Sequence, residues 1–152
     1  MATDAGRMVM ASRKSREAGR GIVVLYWIFT LLLVAHFSLT AITLILRVPM
    51  ITALVRHLGY PEYFPVLLGV AKILGIVAIL QPWSATLKEW GYAGMTFDVG
   101  AALFSHISSH DTAKDIAGPI VILVLIAISY FGYAKVKNPA LVEADVSKRP
   151  NI

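Results

Sequence analysis

The stretch IVVLYWIFTLLLVAHFSLTAITLIL, residues 22–46, decides the fold. Only His36 and a few hydroxyl side chains interrupt its 25 residues. A helix needs about 20 apolar residues to cross a hydrocarbon core about 30 Å thick. Working outward, three later segments read the same way. Residues 63–80 carry one charge, Lys72; residues 90–105 carry one, Asp98, and give the weakest signal; residues 116–133 carry none. Breakers separate them: Pro49, Gly59, Pro61 and Pro65 around the first connection, Pro82 after the second segment, and a polar run at 108–114. The expected fold is all-α, a four-transmembrane-helix bundle. A soluble bundle is excluded because the last segment is apolar on nearly every face and leaves nothing to meet water.

Composition agrees. Of 152 residues, 57% are hydrophobic and 15% charged, against about 45–50% and about 25% in ordinary soluble domains. The absence of cysteine removes disulfides, thiol catalysis and CxxC redox chemistry. A net charge of +5 would suit nucleic acid only if the basic residues formed one patch. They cluster instead at the chain ends, so no nucleic-acid partner is expected. Arg7, Arg13, Lys14, Arg16 and Arg20 precede the first segment, Lys88 falls between the second and third, and Lys135, Lys137, Lys148 and Arg149 follow the fourth. The opposite side has only Arg47, Arg56 and Lys114. The positive-inside rule then puts both termini of a multi-pass membrane protein in the cytoplasm. The expected organisation is a disordered basic tail at 1–21, a membrane domain at 22–134 and a polar tail at 135–152. The first apolar run is too long for a cleaved signal and lacks a small-x-small exit, so it reads as an anchor.

The first connection contains a helical stripe. Met50, Ile51, Leu54, Val55 and Leu58 share one face, with Thr52, Arg56 and His57 opposite. Gly59 can end that helix in a left-handed conformation. A short interfacial helix is expected, its apolar side toward the bilayer, serving as an anchor or as a lid over an outward cavity. Tyr60 and Tyr63 on one side, with Trp83 and Trp90 on the other, fit two aromatic belts.

Lys72 and Asp98 are the informative charges. Counted from Ala85 in the shared hairpin, each lies 13 residues away, so both sit at one height and an interhelical pair is within reach. Charges at bilayer depth generally face the protein interior and find a partner. The pair is either a clasp that fixes helix register or a proton or ligand site. Gly91, Gly94, Asp98, Ala101, Ala102 and Ser105 form a small, polar stripe suited to close helix packing. His36, Thr40 and Thr43 share a face of the first helix, and Ser105 and His106 end the third. These are the candidate interior polar groups. Haem between His36 and His106 is not expected, since the count places them turns apart in depth. The spacing of His106, His110 and Asp111 is commoner at a solvated helix end than around a metal, and no metal site is expected. HExxH, GxxxxGK, GxGxxG and nucleophile-elbow motifs are all absent.

Several short stretches together carry a family resemblance: LGYPEYF (58–64), LLGVAKILG (67–75), LKEWGYAG (87–94), FDVGAA (97–102), and Ser105 with His106. In this combination the chain resembles the DoxX-like family of small bacterial integral membrane proteins. The first segment departs from the pattern: Phe37-Ser38-Leu39 lacks the family's glycine, and Arg47 is the nearest base. The resemblance implies a four-helix membrane bundle. It marks Lys72, Lys88, Glu89, Trp90, Asp98 and His106 as motif positions, with Lys88, Glu89 and Trp90 at the membrane interface. Relatives include a membrane subunit of a thiosulfate:quinone oxidoreductase, and others are linked to redox stress.

Three functions remain open. A membrane subunit supporting quinone-linked redox chemistry is favoured, because a carboxylate, a lysine and a histidine could deliver protons to a quinone. With no electron carrier of its own, such a chain is an accessory subunit more than a self-contained enzyme. The alternatives are a small-molecule binding or transport protein, with Lys72 receiving an anion, and a structural or assembly subunit. The bilayer is the expected partner, and a protein partner or a second copy stays open. No cofactor is fixed, and quinone is the one considered.

Overall fold

The structure is a computed structural model that describes residues 2–138, with side chains described from residue 19. Among the described residues the chain is all helical: α1 (Ala2–Ile45), α2 (Pro49–His57), α3 (Phe64–Leu80), α4 (Ala85–Ser108) and α5 (Ala113–Lys137). The basic stretch expected as a disordered tail is helical from Ala2 onward and runs directly into the apolar part of α1. It contains no proline and is rich in Ala and Arg, with Met8 and Met10 beside them, all good helix formers. Extending an existing helix also avoids the nucleation cost. At the other end α5 reaches Lys137, and the expected polar tail from residue 139 lies outside the described residues.

Two of the four expected spans pass on length and hydropathy together, Gly19–Ile45 and Ala113–Lys137. Only 22% and 17% of their most apolar windows is buried within the chain. A core helix of a soluble protein would be mostly covered. The other two differ for physical reasons. α3 is strongly apolar but has 17 residues, ending ahead of Pro82. α4 has 24 residues, but Lys88, Glu89, Asp98, His106 and its Gly and Ser content lower its hydropathy.

Residues Leu31–Ala127 form one compact unit. Within it α3 and α4 make an antiparallel hairpin on a four-residue turn. Gln81 organises the turn: its Oε1 accepts from Ser84 N (2.8 Å), and its Nε2 donates to Ala78 O (3.2 Å) and Ser84 O (2.6 Å). Ser84 then caps α4, its hydroxyl accepting from Leu87 N at 3.2 Å. Side-chain oxygens at this position satisfy donors that the helix cannot. Two glycines set the helix spacing. A Cβ on Gly91 would lie 2.9 Å from Ala78 Cβ and 3.0 Å from Ile79 Cγ2. One on Gly69 would lie 2.7 Å from Ile45 Cγ1 and 3.0 Å from Ala41 O on α1. The core formed this way includes Leu33, Phe37, Ala41, Leu44, Ile79, Tyr92, Met95 and Val99.

The interfacial stripe falls on α2, which starts with Pro49 in its first turn, where the missing N–H costs nothing. Gly59 follows at φ +84°, the left-handed conformation that ends the helix. In a second, separate unit the two long helices meet through a buried Thr30–Ser129 hydroxyl pair at 2.8 Å. There Gly132 leaves room for Tyr26, whose Cβ would lie 3.1 Å from an added side chain.

Gly91→Val and Gly69→Val are expected to lower stability by about 1–3 kcal/mol through overpacking. Gly94→Ala, whose new Cβ meets nothing within 4 Å, is expected to be neutral or to gain up to about 1 kcal/mol of helix propensity. Circular-dichroism melts in one detergent would compare the three.

Candidate functional site

The antiparallel register of α3 and α4 brings Gly91 onto Ala78, Gly75 next to Met95 and, one step further, Lys72 onto Asp98. Lys72 Nζ donates directly to Asp98 Oδ2. The two side chains are only 11% and 16% exposed. The ammonium also lies 4.6 Å from the centroid of the buried Phe37 ring on α1, a cation–π contact. Apolar surroundings weaken the screening of the pair. They also make either charge costly alone.

On the α2 side of the pair is a cavity of about 650 Å³. Its walls are largely apolar: Leu54 and Val55 from α2 and Leu58 just after it, Leu68 from α3, Val99 from α4, and Val121 and Ile122 from α5. Polar groups are few. Lys72 and Asp98 lie at one end with His36 and Thr40, and His106 and Tyr60 lie toward the other. Thr40 bonds back to His36 O (3.0 Å) and Phe37 O (3.2 Å), as helix threonines do, which ties its hydroxyl to its own helix. Thr43 does the same to Thr40 O and does not line the cavity.

A second polar cluster holds the mouth. Ser105 Oγ donates to Ala101 O (2.8 Å), so the Tyr60 hydroxyl must donate to Ser105 Oγ in their 2.7 Å contact. Tyr60 in turn stacks on Phe64 at 4.2 Å and 6°. Beside them Asp111 bridges two histidines, with Oδ1 2.7 Å from His57 Nε2 and Oδ2 2.7 Å from His106 Nδ1. The backbone places it there. His110 takes φ 56°, and Asp111 N then reaches back to His106 O at 3.1 Å, closing the end of α4. The bridge therefore links the last residue of α2 to α4 and the following loop. Hydrogen bonds from His57 first and His106 second hold the Asp111 carboxyl below its ordinary pKa, against a smaller opposing effect of burial.

Of the interior candidates, Lys72, Asp98, His36, Thr40 and His106 border one cavity, Ser105 braces its mouth, and Thr43 stays apart. The interface candidates divide. Trp90 is 74% exposed and borders an open groove on the α3–α4 face, while Lys88 and Glu89 are half-buried near the start of α4. Of the spacing triplet at the end of α4, His106 and Asp111 bond to each other and His110 is exposed. Among the described residues no group of three or more His, Asp or Glu is arranged to hold a metal ion. Sequence reasoning missed the His57–Asp111 link, since it joins residues 54 positions apart. It also missed Phe37 beneath Lys72 and the brace made by Tyr60. The five-residue spacing of His106 and Asp111 around a helix end was the one usable signal.

A family model described as the DoxX-like family matches residues 28–129. No curated protein and no solved structure matches the chain.

Two predictions follow the geometry. Lys72→Met and Asp98→Asn should each cost about 3–5 kcal/mol, and the double variant far less than their sum, because it leaves no lone charge; a double-mutant cycle on thermal stability measures the coupling. Because folding lowers the pKa of Asp111, its contribution is fully present above the ordinary carboxylate value of about 3.9. It is lost as pH falls through the lower folded value. The melting-temperature gap between the natural chain and Asp111→Asn should therefore persist at neutral pH and close only in stronger acid. A gap that closes already between pH 7 and 5 would contradict this.

Proposed function

The chain belongs to the DoxX-like family, and from that premise we propose that it is a four-span membrane subunit that binds a quinone-type molecule in the α2-side cavity and supports quinone-linked redox chemistry. The observation that carries this reading is the cavity of about 650 Å³, apolar along its walls, with Lys72, Asp98 and His36 gathered at one end. Ligand sites of this kind are apolar with a few converging polar groups, in a range of about 300–1,000 Å³. A quinone ring fits such walls, and its carbonyl oxygens need hydrogen-bond donors. Lys72 supplies an N–H, and His36 and Asp98 can exchange protons at the same end. With no cysteine and no metal-binding cluster among the described residues, electrons would come from a partner protein or a diffusing donor.

Four spans are supported by element length and by surface. At 1.5 Å per residue α3 extends about 26 Å and α4 about 36 Å, close enough to a hydrocarbon core of about 30 Å for modest tilt or thinning to absorb the difference. Leu67, Val70, Leu74 and Val77 on α3 and Phe97 and Phe104 on α4 are exposed apolar side chains. Lipid covers such a surface where water would penalise it. The Lys and Arg distribution then puts the α3–α4 turn and both termini in the cytoplasm of the inner membrane.

The test is titration of menadione and decylubiquinone against the purified protein in mild detergent. Saturable binding is expected, weakened tenfold or more, about 1.4 kcal/mol, by Lys72→Met or Asp98→Asn. Binding unchanged in both variants, with the fold intact by circular dichroism, would sink the proposal.

A further inference from the structure

The walls of the cavity beside Lys72 and Asp98 are not covered evenly. Its lining from α1 and α3 includes no exposed residue. On α4 and α5 it includes Ala101, Ala117, Gly118 and Val121, all exposed. Ala101 and Ala117 each carry a single methyl group, and a residue so small that both lines a cavity and is exposed stands at an opening. A Cβ added to Gly118 would meet nothing within 4 Å, so open space continues there. Ala101 lies seven residues before the end of α4, and Val121 eight residues after the start of α5. At 1.5 Å per residue each is about 11–12 Å from its end of the connection that joins the two helices. The cavity therefore opens sideways between α4 and α5, at one depth on both. Exposed Phe97 and Phe104 flank Ala101, and exposed Ile120 and Val124 flank Val121. The opening thus lies within the surface that the four-span placement gives to lipid.

The end of the cavity nearest water is built differently. Tyr60 is braced on Ser105, and Asp111 ties His57 to His106. These bonds hold the end of α2 and the loop after it against α4. A molecule coming from water has to part polar contacts, and each polar group left unpaired on the way is costly. A molecule dissolved in the bilayer meets alanine, glycine and valine, none with a side-chain group to hydrogen-bond.

The opening also bears on what the cavity holds. A closed cavity of about 650 Å³ would limit a ligand to what fits inside. An opening into lipid removes that limit for an apolar tail. Lipid chains are as apolar as leucine, so a tail that passes through the opening stays in surroundings like those it left. The polar head alone needs the donors at Lys72 and His36.

We infer that the cavity takes a quinone with a long hydrocarbon tail, admitted sideways from the outer half of the bilayer between α4 and α5, with its ring at Lys72 and its tail left in the opening. The inference rests on the quinone reading and the four-span placement proposed above. It adds the class of quinone and its route.

The tail is located with a decylubiquinone analogue that carries a diazirine midway along its tail. It is photolysed on the natural chain in phosphatidylethanolamine–phosphatidylglycerol vesicles, and the label is mapped by peptide mass spectrometry. Label is expected in α4 around Ala101 and in α5 from Ala117 to Val121, and excess menadione, which has no tail, should remove it. Label that menadione removes but that lies outside those two stretches overturns the side route and leaves the quinone reading standing. Label that menadione does not displace overturns both.

Ala101→Leu and Gly118→Leu narrow the opening from its two sides. Each is expected to weaken decylubiquinone binding by about tenfold or more and menadione binding by less than about twofold. Decylubiquinone binding unchanged in both variants overturns the route. An equal loss of both ligands overturns it too, because these positions would then be walls of the ring site.

Discussion

One charge pair in an apolar interior constrains most of what surrounds it. Lys72 and Asp98 must stay together because neither charge can be left alone in such apolar surroundings. They can meet only if α3 and α4 run antiparallel in a single register. Slipping either helix by a turn would separate them by about 5 Å. The turn at Gln81–Ser84 sets that register at one end, and the glycine contacts carry it along both helices. Gly91 lets the helices approach at Ala78, while Gly69 brings α1 onto α3 from the other side. That approach delivers Phe37 to the ammonium. The ring gives the cation a second favourable contact without adding another charge that would itself need solvation.

The mouth of the cavity is governed by a different kind of interaction. Asp111 joins α2 to the end of α4 through two histidines, of which His106 is as buried as Lys72 and His57 is exposed. The Lys72–Asp98 pair is one direct contact, whereas the mouth is held by a network of hydrogen bonds. α2 contributes Leu54 and Val55 to the wall, with Leu58 just after it, so movement of this short helix would change the cavity's entrance. The alternative expected for it at the outset, simple anchoring, is compatible with the exposure of Met50 on the same helix.

How the small residues of α4 act shows why hydropathy understates that helix. Gly91 and Gly94 lower its average because they contribute no apolar side chain, yet Gly91 permits close packing and Gly94 leaves groove space. The same helix exposes Trp90, Phe97 and Phe104 at seven-residue intervals. A mean over the helix blends an aromatic outer face with a small and polar inner one. Length has the same limitation for α3, whose 17 residues are apolar throughout apart from Lys72.

By itself the sequence determined that the chain is helical and membrane-like, where α2 and its glycine stop lie, and that Lys72 and Asp98 fall at equal distance from a shared turn. Those properties follow from run length, periodicity and counting along one hairpin, which are local. It also carried the family's motif residues in order. Tertiary structure decided the rest. His57 and Asp111, Tyr60 and Ser105, and Phe37 and Lys72 are distant in sequence and carry no spacing rule that would pair them. The cavity and the groove are likewise properties of space left between helices, and no single segment encodes such a volume. The continuation of α1 back to Ala2 was decided by the helix it extends, because a stretch with neutral burial preferences takes its conformation from what it adjoins.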